Sequence, residues 1–68
     1  MTFEEQTARI EYLISLIEKF NTGKAENLAM KLGVSRRTVF SDLEFLKGRG
    51  YVIVYNRTVG SYLFEKKK

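Results

Sequence analysis

The run Leu28-Ala29-Met30-Lys31-Leu32-Gly33-Val34-Ser35-Arg36-Arg37-Thr38-Val39-Phe40 constrains the fold more than any other stretch of the chain. It predicts a short helix, a tight turn at Gly33 and a second helix opened by Ser35. A glycine after Leu32 ends a helix without strain, because it takes a left-handed φ with no Cβ to clash. Ala29 is small enough to let two helices cross closely, and Val34 can plug the corner between them. Ser35 is a good N-cap, since its hydroxyl accepts from an amide two or three residues on. Arg36, Arg37 and Thr38 then form an exposed first turn. Two arginines there run against the helix macrodipole, which favours anions at an N-terminus. Stability alone would select Asp or Glu at these positions. Arginines are expected where an external anion supplies the negative charge.

The chain has 68 residues, enough for one small domain near the lower limit of unaided folding. A hydrophobic share of 44% is too high for a disordered chain, so a compact, mostly helical core is expected. There is no cysteine and no histidine. Disulfides and thiolate chemistry are excluded, and the commonest metal ligands and general base are missing. No apolar run approaches the roughly 20 residues of a membrane span. The N-terminus, Met1-Thr2-Phe3-Glu4-Glu5, has no signal-peptide pattern, so a cytoplasmic protein is expected. The net charge of +4 is unevenly placed. Residues 1–20 carry −2 and residues 21–68 carry +6. A polyanion is the natural partner of that asymmetry.

Thr2 and Glu5 fit a capping box, and Phe3, Ile10, Leu13, Ile14 and Ile17 fall on one helical face over residues 3–20. A second helix is expected from about Lys24 to Leu32, capped by Thr22 or Gly23. Its inner face is Ala25, Leu28, Ala29 and Leu32. A third is expected from Arg36 to about Lys47, with Val39, Leu43 and Leu46 in the core. Tyr51–Tyr55 reads as a strand, Asn56–Gly60 as a turn and Ser61–Phe64 as the returning strand. A five-residue loop would pair Val54 with Tyr62 and Val52 with Phe64, all on the side that covers the helices. Tyr51, Ile53, Tyr55, Leu63, Ser61 and Glu65 would lie on the other side. The domain spans residues 1–65, and Lys66, Lys67 and Lys68 form a basic tail.

Three helices with this turn, followed by a hairpin, resemble a DeoR-like winged helix-turn-helix, a mainly α fold with a small β-hairpin. Leu28-Ala29, Leu32-Gly33-Val34-Ser35-Arg36-Arg37-Thr38-Val39, Asp42-Leu43 and Leu46 carry the resemblance, which covers about residues 8–65. It implies a transcriptional regulator that binds double-stranded DNA, in a bacterial or phage setting. The recognition helix, about residues 35–47, would enter the major groove, and a wing, about 51–64, would reach the backbone or minor groove. By the resemblance Arg36, Arg37, Phe40 and Ser41 face the groove, where arginine can pair with guanine or grip phosphate. Ser35, Thr38 and Lys24 would bond phosphates, and Arg57 and Thr58 would sit at the wing tip. The family often has Arg or Lys where Ser41 stands, so this chain has one gripping charge fewer. No cofactor, metal, small molecule or membrane partner is implied, nor any catalysis.

Each residue also has a plainer reading. The arginines are compatible with a solvated surface, Phe40 with the edge of the core, and Arg57 with any turn tip. Asp42 is expected to pair locally with an arginine. Tyr12, Leu16 and Phe20 recur at i, i+4, i+8 beside the main face of the first helix. They belong either to a helix buried nearly all round or to a homodimer interface that would let two copies read two half-sites. The contrasting function is a winged helix used for protein–protein contact, an adaptor or anti-repressor, acting through Tyr51, Tyr55 and that stripe.

Overall fold

The structure, a computed structural model, describes residues 3–67, with Phe3 described in its backbone alone. Three helices, α1 (Phe3–Glu18), α2 (Ala25–Leu32) and α3 (Arg36–Gly48), precede an antiparallel hairpin of β1 (Val52–Asn56) and β2 (Ser61–Lys66). This is the architecture of a three-helix winged helix-turn-helix. The expected capping box rests on Thr2, outside the described residues, as does the side chain of Phe3.

The apolar stripes converge on one core. Ile10, Leu13, Leu16 and Ile17 of α1 meet Leu28 and Ala29 of α2, Val39, Leu43 and Leu46 of α3, and Ile53 of β1. Val34 packs against this core from the corner between α2 and α3. Leu13, Ile17, Leu28 and Val39 are completely buried, and burying each such side chain is worth about 1.5–3 kcal/mol.

Each helix stops in the same way. Just past each end an amide donates back five residues, in the bonds Asn21 to Leu16, Val34 to Ala29 and Tyr51 to Leu46. The residue before each of those donors is left-handed, being Phe20, Gly33 and Gly50. Phe20 is the non-glycine among them, at φ 56° and with its ring exposed. Helix α1 therefore ends at Glu18 rather than at residue 20.

Helix α2 starts one residue later than expected, with Lys24 at the N-cap and no side chain capping it. Thr22 does not cap it because its hydroxyl is committed to the wing. Thr22 Oγ1 accepts from the Tyr62 amide at 2.8 Å and lies 2.9 Å from Ser61 Oγ, which itself accepts from the Thr22 amide at 3.1 Å. Both Thr22 and Ser61 are completely buried. Gly23 is left-handed at φ 67°, and a Cβ there would stand 2.7 Å from Asn27 Nδ2.

The hairpin register corrects the expected pairing. Asn56 ends β1 as the partner of Ser61, leaving a four-residue loop, 57–60. Its side chain fixes this turn, since Asn56 Oδ1 accepts from the Val59 amide at 2.9 Å while its carbonyl accepts from Gly60 at 2.8 Å. Val54 consequently pairs with Leu63, Tyr55 with Tyr62 and Ile53 with Phe64, not Val54 with Tyr62 and Val52 with Phe64. An irregularity between Val52 and Ile53 sets Val52 opposite Lys66. Ile53, Tyr51, Tyr62 and Phe64 pack on the helical core, whereas Val52 and Val54 are exposed. Tyr51 meets Phe64 at a tilt of 36° and Tyr55 meets Tyr62 edge-on, each with ring centroids 5.1 Å apart.

Candidate nucleic-acid interface

Helix α3 presents its first turns to solvent because of how it is capped and what it packs on. Ser35 accepts from the Thr38 amide through its side chain at 3.2 Å, as its N-cap role predicts, and the first turn holds no acidic residue. Val39, Leu43 and Leu46 turn inward. At 100° per residue, Arg37, Ser41 and Glu44 then lie about 160°, 200° and 140° around the helix from Val39. They form the face opposite the core, and all three are exposed. Glu44 was missed by sequence reasoning, although its spacing of i+7 from Arg37 would have found it. It lies 3.5 Å from Lys47.

The two arginines differ. Arg36 lies beside α2 and reaches Glu26 at 3.3 Å, both side chains being more than 60% exposed, so the pair is weak and readily exchanged. Arg37 makes no ion pair with any described residue. Phe40 is 51% exposed on the flank of the outward face, which answers the alternative that placed it in the core. Thr38 is half-buried, with its hydroxyl 3.2 Å from Ser35 Oγ. Lys24 is exposed at the α2 N-cap. Arg57 and Thr58 are exposed in the turn of the hairpin, and β1 packs against α3.

Asp42 pairs with Arg9 across the domain rather than with a local arginine. Arg9 Nε and Nη2 donate to the two Asp42 oxygens at 2.7 and 2.9 Å. The side chains are 11% and 4% exposed, so this two-pronged bridge fastens α3 to α1 from the inside. The hydrogen bond to Asp42 raises the Arg9 pKa above its usual value, against the lowering effect of burial and with further help from the carboxylate charge. The Tyr62 hydroxyl is raised above its ordinary value by burial first and by nearby Tyr55 second.

Of the stripe Tyr12, Leu16 and Phe20, the structure buries Leu16 in the core and leaves Tyr12 and Phe20 exposed at 47% and 59%. Lys66 belongs to β2, and Lys67 pairs with Glu18 and sits over the Phe64 ring; Lys68 lies outside the described residues. A separate cleft of about 380 Å³ opens between the start of α1 and the end of α3, where Arg49 stacks on Phe45. Among the described residues no helix is long and apolar enough to cross a membrane, and no three His, Cys, Asp or Glu side chains group as a metal site.

Residues 9–61 match a family described as an HTH domain. No curated relative and no solved structure matches the chain. The match begins at Arg9, whose guanidinium locks α1 to α3, and ends at Ser61, which ties the wing to the α1–α2 connection. With the turn at Gly33, the cap at Ser35 and the hairpin in place between them, the chain belongs to the helix-turn-helix domain family, whose members bind DNA.

Proposed function

We propose that this protein is a sequence-specific transcriptional regulator of the DeoR-like winged type, working on double-stranded DNA in the cytoplasm of a bacterial or phage system. The observation that carries the reading is Arg37, an exposed arginine on the outward face of a helix whose first turn lacks any acid. The outward face of α3 enters the major groove. Arg37 reads a guanine through O6 and N7, with Arg36, Phe40 and Ser41 on the neighbouring bases and backbone. The hydroxyls of Ser35 and Thr38 and the ammonium of Lys24 hold phosphates, and Arg57 and Thr58 at the wing tip grip the flanking backbone or minor groove. Two copies reading two half-sites make up for the missing charge at Ser41.

Exposed Val52 and Val54 favour a second reading, a winged module for protein contact through the outer side of the hairpin. Substitution at Arg37 separates the two. Arg37→Ala is expected to lower affinity for the preferred duplex by about 1–3 kcal/mol and to relax preference at one base pair, measured by fluorescence anisotropy. Equal losses on every duplex would make Arg37 a phosphate contact. Unchanged binding would remove the groove-facing role.

A further inference from the structure

The outward face of α3 carries an acid, which a helix that only grips phosphate would lack. Arg37, Ser41, Glu44 and Gly48 follow one another at steps of four, three and four residues, so they line up on one side of the helix. All four are exposed. The Glu44 side chain is 73% exposed, and Lys47 reaches one of its oxygens at 3.5 Å, in a surface pair of the kind that is worth little. Its other oxygen accepts no hydrogen bond from any described residue. Gly48, one turn further on, is unexplained by the fold. Its φ is not left-handed, and a Cβ there would stand in open space. Alanine would favour the helix at this position. A missing side chain does let the backbone come close to something outside the chain.

We propose that Glu44 is a base-reading residue that selects cytosine, an assignment that rests on α3 entering the major groove. The pattern of donors in the groove picks the base. A carboxylate only accepts hydrogen bonds. Guanine presents two acceptors there, O6 and N7, and thymine presents O4 beside a methyl group. Adenine offers its N6 amino group with the N7 acceptor next to it, and that acceptor repels a carboxylate. Cytosine offers its N4 amino group with no acceptor of its own. Glu44 therefore has one good partner among the four bases. Seven residues of helix span about 10.5 Å, or about three base steps of about 3.4 Å, so Glu44 meets a different base pair from Arg37. Gly48 leaves this end of α3 free to approach the groove floor. The charge adds discrimination. Phosphates repel the carboxylate on every duplex, and only one with cytosine in register returns a hydrogen bond to it. Lys47 engages one oxygen and leaves the other for the base.

Selection of the full chain's preferred sites from a library of randomised duplexes tests this, followed by anisotropy titration of single duplexes. The wild type is expected to select a cytosine about three base pairs from the position that Arg37→Ala relaxes. Glu44→Ala is expected to lose that preference, about fivefold or more between cytosine and the other bases, and to bind random-sequence duplexes more tightly than the wild type. Glu44→Gln is expected to move the preference from cytosine to adenine, because an amide both donates and accepts and so fits N7 together with N6. Glu44 lies outside the core, so Tm is expected to change little, and a damaged fold would give no tighter binding. A wild-type preference that depends on Arg37 but not on Glu44 would overturn this proposal and leave the DNA-binding regulator standing. Unchanged or weaker binding of random duplexes by Glu44→Ala would also overturn it. A wild type that selects no sequence would overturn both.

Discussion

The Arg9–Asp42 bridge places a charged pair inside the domain, between α1 and α3. Its two parallel bonds neutralise a carboxylate that is almost wholly out of water and link α1 to α3. Removing one partner leaves the other charge buried and unpaired. Arg9→Leu is expected to cost about 3–5 kcal/mol, a large share of what so small a domain has, and Arg9→Leu with Asp42→Leu is expected to regain most of it. Urea unfolding of the three proteins checks this. Tyr62 contributes to stability at alkaline pH. Its hydroxyl holds its proton more tightly in the folded chain than in the unfolded one, because burial disfavours the phenolate. The stability from this group is complete below its ordinary value of 10.0 and is lost as pH rises past it towards the raised folded value. Tyr62→Phe is expected to flatten the fall in Tm above that pH while leaving neutral pH little changed.

Among the elements, the wing is held by a link that the chain order conceals. Thr22 lies in the connection between α1 and α2, yet its hydroxyl accepts from the Tyr62 amide and its amide donates to Ser61. This side-chain bonding stands where a third strand would pair with β2. Thr22→Val keeps the shape but leaves the part-buried Tyr62 amide without its acceptor. It is expected to cost about 1–3 kcal/mol and to speed amide exchange along β2 more than along α3. The helix-turn-helix was fully legible in the sequence, because Gly33 and Ser35 act through local backbone geometry. The period made Ile10, Leu13 and Ile17 of α1, Leu28 and Ala29 of α2 and Val39, Leu43 and Leu46 of α3 legible as core, whereas Leu16, on a stripe offset from the main face, is buried as well. The hairpin register was not, because Asn56 chooses between ending a strand and opening a turn, and its bond to the Val59 amide decides it. Neither was the Arg9 partner of Asp42, since nothing local links residues 33 positions apart. At the candidate site, the resemblance sets Arg37 and Ser41 toward the groove, and both are exposed. The exposure of Phe40 depended on how closely α2 and the wing flank α3.

At the scale of the whole molecule, charge is divided along the chain. The acidic residues concentrate on α1 and the basic ones follow α2 onward, with Lys24 at the α2 N-cap, Arg36 and Arg37 at the start of α3 and Arg57 in the turn of the hairpin. The proposed DNA-binding face draws its cations from these three successive elements. The most direct test is an amide-shift NMR titration of the labelled protein with a pool of random-sequence duplexes, at low and at moderate salt. Docking through this face predicts shifts centred on residues 35–41 and on Arg57 and Thr58, fading as salt rises because released counterions drive the binding. No shifts at low salt, or shifts confined to α1 and the outer side of the hairpin, would contradict it.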